Sequence, residues 1–145
     1  LPPVIGWTIA NNNLALEPIT FFLIIFFWTP SHFWALSLYK SGDYKRAKIP
    51  MLPIIFGVKT TKMNILVYAL IMSPAVIAPY FFNFASLFYL IASSIMTVYY
   101  IYLCFKLYRS KIAKVSNKIA RKIFIYSIFY LFFIFLILLI DNILK

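Results

Sequence analysis

Four apolar runs, each long enough to cross the hydrocarbon core of a bilayer, limit what this chain can fold into. They fall at about residues 19–38, 64–82, 87–105 and 123–140. The breaks between them alternate in charge. Residues 39–62 carry Lys40, Lys45, Arg46, Lys48, Lys59 and Lys62. Residues 106–122 carry Lys106, Arg109, Lys111, Lys114, Lys118, Arg121 and Lys122. Together they hold 13 of the 14 basic residues, and Lys145 is the remaining one. The breaks at Asn11–Glu17 and Asn83–Ser86 hold none. A backbone in lipid has to satisfy its own hydrogen bonds, so these runs are expected to be helices. The expected fold class is all-α integral membrane, with four full transmembrane helices and an N-terminal stub over Leu1–Ala10. Basic loops stay on the cytoplasmic side, so 39–62 and 106–122 are expected to face the cytoplasm or its organellar equivalent.

Composition supports this placement. Hydrophobic residues make up 64% of the chain and charged residues 12%, against about 25% charged in soluble domains. The net charge of +11 would suggest nucleic acid in a soluble protein. Here the cations are confined to two loops, so anionic lipid headgroups are the expected countercharge and no nucleic-acid partner is expected. Cys104 is the sole cysteine, which excludes an internal disulfide and leaves it as packing. The chain opens on LPPVIGW, without an initiator Met, a basic n-region or a cleavage site. That reads as no signal peptide and as a piece of a longer protein.

Local signals place the helix ends. Glu17-Pro18 marks a start after the polar Asn11-Asn12-Asn13 break. Pro50 and Pro53 exclude a long helix between them, and Ile54–Gly57 is expected to dip back to the interface. Thr60-Thr61 reads as the N-cap of the second span. Pro74 and Pro79 should kink that span, their freed carbonyls finding partners on neighbouring helices. Asp141 reads as a capping residue at the far interface.

Chemistry concentrates in WTPSHFWALSLYKSGDYKRAKIPMLP, residues 28–53. Trp28, His32, Tyr39 and Asp43 follow at steps of 4, 7 and 4, one face of a helix if it continues that far. Ser41-Gly42 is where it would break. An ionisable residue at membrane depth marks a functional site by default; the plainer reading of His32 is a neutral imidazole bonded to a neighbouring helix. Asp43 is the only acid in either basic loop. It is either a surface partner of Lys40, Lys45 or Arg46, or a Mg²⁺ ligand among cations that hold phosphate oxygens.

LPPVIGW at 1–7, W-x-P-x-H-F at 28–33 and DYKRAKIPMLP at 43–53, followed by Gly57, carry a resemblance. In order and spacing the chain resembles the C-terminal half of the haem-directed branch of the UbiA-type intramembrane prenyltransferases, the protohaem IX farnesyltransferases. The likeness covers the whole chain, more weakly from about residue 83. It implies an all-helical bundle of roughly nine spans around a cavity. It implies transfer of farnesyl from farnesyl diphosphate to a vinyl group of haem b, using Mg²⁺ held by two Asp-rich motifs. One motif would lie outside this chain. Asp43 would fall in the second, as metal ligand and catalytic residue, although the position four after it is Ala47 where related enzymes have another Asp. Lys40, Lys45 and Arg46 would contact diphosphate. Trp28, His32 and Tyr39 would line the haem and prenyl pocket, with axial ligation of haem iron by His32 a further option. The implied partners are farnesyl diphosphate, haem b, membrane lipid and other membrane enzymes of the haem pathway. The implied location is the bacterial inner membrane, or an organellar inner membrane.

The rival readings are a prenyltransferase for an aromatic quinone precursor, which the IPMLP block argues against, and a non-catalytic membrane subunit or transporter. The latter would need polar residues along the spans, where this chain has few. With half of the cavity and one Asp motif missing, residues 1–145 alone are expected to be inactive.

Overall fold

A computed structural model describes residues 2–12 and 15–144 of the chain. Leu1, Lys145 and Asn13 of the polar break lie outside the described residues, as does Leu14. Among the described residues seven helices follow in order: α1 (Pro2–Asn11), α2 (Leu16–Tyr39), α3 (Ser41–Arg46), α4 (Leu52–Ile55), α5 (Gly57–Phe81), α6 (Leu87–Arg109) and α7 (Ala113–Leu144). No strand occurs among the described residues. Helices α2, α5, α6 and α7 have 24, 25, 23 and 32 residues and are long and apolar enough to cross a membrane. At about 1.5 Å per residue each exceeds a hydrocarbon core of about 30 Å. Helix α1 has 10 described residues.

The helices overrun the apolar segments that announce them. Helix α5 begins at Gly57, so Lys59 and Lys62 are helical and Thr60-Thr61 is not its cap. Phe56 takes the cap position, and the Thr61 hydroxyl bonds back to the Gly57 carbonyl at 2.9 Å. Residues 106–122 are not a loop: helix runs through them except at Ser110–Ile112. The reason is physical. The end of an apolar run marks where lipid ends, whereas Lys and Arg are good helix formers in water and carry the helix onward.

Two helices stop in Schellman turns without glycine. After α5, Asn83 takes φ 63°, with Asn83 N bonded to Tyr80 O and Phe84 N to Pro79 O, each at 3.1 Å. After α3, Lys48 takes φ 56°, with Lys48 N bonded to Lys45 O at 3.2 Å and Ile49 N to Tyr44 O at 3.0 Å. Pro50 then prevents resumption. At the start of α6 the Ser86 hydroxyl accepts from Phe88 N. Asp141, near the end of α7, is buried. It accepts from Ser86 N at 2.6 Å and from the Ser86 hydroxyl. It therefore caps a neighbouring helix rather than its own.

The four long helices close into a ring. Helices α2 and α6 each pack against both α5 and α7, and α1 lies against α2. Ile24, Ile65, Met72, Val76, Ile123 and Ile134 fill the interior with three buried tyrosines, Tyr89, Tyr100 and Tyr130. Hydroxyls knit the ring: Ser31 to Tyr100 at 2.8 Å, Thr97 to Tyr130 at 2.9 Å, and Tyr126 donating to the Met96 carbonyl at 3.0 Å. Such interhelical bonds contribute about 0.6 kcal/mol each in a membrane, so they fix register more than they hold the bundle together. The carbonyl of Leu70, which Pro74 leaves without its amide, is bonded locally by Ser73 at 2.7 Å rather than by a neighbouring helix. Pro79 frees the Ala75 carbonyl, but the neighbouring-helix bond nearby goes to the next carbonyl along: Tyr89 of α6 donates to Val76 O at 2.8 Å.

Candidate functional site

The seam between α2 and α7 assembles most of the aromatic candidates. Helix α2 passes through Pro30 without ending, which keeps Trp28, His32 and Tyr39 on the side turned to α7. The Trp28 indole donates to the Ser127 carbonyl at 2.9 Å, and His32 Nδ1 lies 2.6 Å from the Ser127 hydroxyl. That hydroxyl also lies 2.7 Å from the Phe124 carbonyl. Its one hydrogen goes either to that carbonyl, with Nδ1 donating, or to Nδ1, according to the imidazole tautomer. No described residue hydrogen-bonds Nε2. The imidazole is sandwiched between rings, with Trp28 at 4.3 Å and Phe124 at 4.6 Å between centroids. The Tyr39 ring is 5.9 Å from the same Phe124. On the far side of Trp28 an apolar groove of about 490 Å³ runs along α7 past Ile128, Leu131, Phe135 and Leu139.

The charged candidates stand apart from this seam. Helix α2 ends at Tyr39, Lys40 turns the chain, and Asp43 belongs to α3. The single face from Trp28 to Asp43 therefore stops at Tyr39. Asp43 is well exposed and pairs with Lys40 at 3.2 Å. The Lys40 ammonium also lies 5.9 Å from the Tyr39 ring, which links the charged turn to the aromatic seam. Lys45 and Arg46 are exposed in the last turn of α3. There the carbonyl end of the helix favours cations.

Residue-type reasoning missed Ser127, which orients both Trp28 and His32. A signal for it exists in the sequence. The buried residues of α7 recur every three or four positions: Ser116, Ala120, Ile123, Ser127, Tyr130 and Ile134. Small and hydroxyl-bearing residues in the most apolar run share that stripe, as interhelical faces in membranes require.

The UbiA prenyltransferase family profile matches residues 1–137. The chain belongs to the UbiA prenyltransferase family. A protoheme IX farnesyltransferase of Pelagibacter ubique is 66% identical over 144 residues, covering 99% of this chain and 48% of that protein. Proteins of the same name from Parvibaculum lavamentivorans and Rhizobium rhizogenes are 42% and 44% identical, over 99% and 98% of this chain and 45% and 44% of theirs. This UbiA-family chain thus spans about half the length of the curated relatives it matches. No solved structure matches it. Family and four helices of spanning length together make it a multi-pass integral membrane protein.

Proposed function

We propose that this chain is the C-terminal half of an enzyme that transfers farnesyl from farnesyl diphosphate to a vinyl group of haem b, giving haem O. The complete protein would be a bundle of roughly nine helices in a bacterial inner membrane, with the basic ends of α2, α5, α6 and α7 towards the cytoplasm. One observation carries the reading. A cationic turn with a single carboxylate, Lys40–Arg46, directly follows an aromatic seam that opens onto an apolar groove. An amphiphile with a diphosphate head and an isoprenoid tail needs that succession. The names of the relatives support the choice of haem b as acceptor over a quinone precursor.

Family members generally use Mg²⁺ with the diphosphate. Among the described residues no three His, Cys, Asp or Glu side chains gather to hold a metal. Asp43 nevertheless fits a share of such a site. Its carboxylate is accessible, and only one oxygen is engaged by Lys40. Mg²⁺ takes about one or two carboxylates and completes its shell with water and substrate phosphate. When bound, the ion would offset charge on the departing diphosphate.

The chain's own groups account for the remainder. The allylic C–O bond breaks with its electron pair leaving on the diphosphate, and Lys40, Lys45 and Arg46 stabilise that charge. The groove beside Trp28 holds the isoprenoid chain and excludes water. The ring faces of Trp28 and Tyr39 favour the allylic cation until the vinyl carbon captures it. Water then adds to the cation left on the other vinyl carbon and loses a proton to solvent, completing the hydroxyethyl group. His32 and Trp28 line the haem end, and His32 Nε2 is the ring nitrogen left to the substrate. The full-length protein, given farnesyl diphosphate, Mg²⁺ and haem b, should yield haem O by mass spectrometry, and residues 1–145 alone should yield none. A product prenylated on a quinone precursor instead would replace haem b as the acceptor.

A further inference from the structure

At the basic end of the bundle, away from α3, four cations line one concavity of about 610 Å³: Lys59 and Lys62 from α5, Arg109 from the end of α6, and Lys111 from the α6–α7 turn. Lys62 is the unusual member. It is only 7% exposed, and its ammonium spends its hydrogens on the Ser110 carbonyl at 2.8 Å, the Ser110 hydroxyl at 3.2 Å and the Ser116 hydroxyl at 2.6 Å. None of these acceptors carries charge. The chain has three acids. Asp43 pairs with Lys40, Asp141 caps α6 at the opposite end, and Glu17 borders a pocket with Trp7 and Asn142. A buried ammonium and three exposed cations therefore face one cavity with no carboxylate of the described chain to balance them. Burying a charge in that state is costly, and an anion from outside relieves it.

We propose that this concavity is a binding site for the phosphodiester headgroup of an anionic phospholipid. The absence of a carboxylate among the lining residues argues against a metal-bridged diphosphate, which needs one to hold its ion. The remaining lining argues for a lipid. Val58 and Tyr108 border the cations, and both are exposed on the outer faces of their helices. An apolar edge with an interfacial tyrosine accommodates the glycerol and first acyl carbons beneath a bound headgroup. Basic pockets between helices at the cytoplasmic face hold anionic headgroups in this way. Lys62 supplies field rather than hydrogen bonds, because its donors are used. Lys59, Arg109 and Lys111 are the groups free to reach phosphate oxygens.

The test uses the full-length protein in detergent and native mass spectrometry with added dioleoylphosphatidylglycerol or dioleoylphosphatidylcholine. Wild type should retain the phosphatidylglycerol and not the phosphatidylcholine. The triple variant K59Q/R109Q/K111Q should bind phosphatidylglycerol about tenfold more weakly or worse. The charge-keeping K59R/K111R should bind as wild type does. Should the triple variant fail to fold, the single exposed change K111E should show the same loss. Saturating Mg²⁺ with inorganic diphosphate, or inorganic phosphate alone, should leave the lipid in place. Equal retention of both lipids, undiminished affinity in the neutralised variants, or displacement by either free anion would each overturn the assignment.

Discussion

The two basic regions at one end of the bundle differ in how they treat their charge. Around α3 the charge is open. Asp43, Lys45 and Arg46 are exposed on a helix of six residues, with Lys40 exposed in the turn before it, and the Lys40–Asp43 ion pair is a surface pair. Such a pair contributes roughly 0–1 kcal/mol and exchanges readily. At the α5–α6–α7 corner the charge is built in. Lys62 is buried, triply hydrogen-bonded and ties α5 to the α6–α7 turn. The first region holds a carboxylate and the second does not. An exposed carboxylate among cations suits an anion that arrives with a metal and leaves. A buried cation without a carboxylate suits an anion that stays. Net charge alone would have given both regions the same role.

The contrast breaks most visibly in a double dissociation. Asp43→Ala in the full-length protein should lower haem O formation about 100-fold or more while expression and thermal stability persist. K59Q/K111Q, at the other corner, should leave turnover within about twofold in the same membranes. Unchanged turnover in Asp43→Ala would remove Asp43 from the site and leave the two regions functionally alike. A smaller effect is expected at the seam. Ser127→Ala removes the hydroxyl bonded to His32 Nδ1 while leaving the carbonyl that holds Trp28. We expect kcat to fall about tenfold with KM for farnesyl diphosphate little changed, and Ser127→Thr to restore it. An equal loss in Ser127→Thr would make Ser127 a packing residue only.

The sequence made some of this legible and hid the rest for identifiable reasons. Apolar length and the alternation of basic breaks were enough for four helices and for bringing residues 39–62 and 106–122 to one end, because bilayer thickness and backbone hydrogen bonding leave few options. Helix ends were not legible: Lys and Arg do not stop a helix, so α6 and α7 run almost to each other. Trp28, His32 and Tyr39 could be grouped by their spacing, since α2 continues through Pro30. Ser127 and the Lys62 clamp could not, because each depends on which faces of distant helices meet. Asp141 was recognisable as a cap but not as the cap of α6, for the same reason.

The built-in character of the Lys62 corner can be tested on its own. Lys62→Met keeps the length of the side chain and removes the charge. The Ser110 and Ser116 hydroxyls remain bonded to each other at 2.7 Å, so the main loss is the donor to the Ser110 carbonyl. The protein should be less stable by about 1 kcal/mol, read as a lowered Tm of the full-length protein in detergent. A raised Tm would mean that desolvating the ammonium costs more than its three bonds return, and the clamp would then owe its presence to the anion it faces.

An effect of the same small size is expected at the joint that sets where α5 begins, and hence where Lys59 and Lys62 point. Gly57 takes φ 85°, and a Cβ there would meet nothing within 4 Å. Space does not forbid a side chain, so only the left-handed backbone does. Gly57→Ala should therefore cost about 1 kcal/mol through backbone strain. Gly57→Asn should cost less, because asparagine tolerates that region, as Asn83 does at φ 63°. The two Tm values decide between strain and packing. Equal losses for Ala and Asn would point to a neighbour outside this chain filling the open space. A graded loss, Ala beyond Asn, would confirm that the turn from α4 into α5 is set by backbone conformation alone.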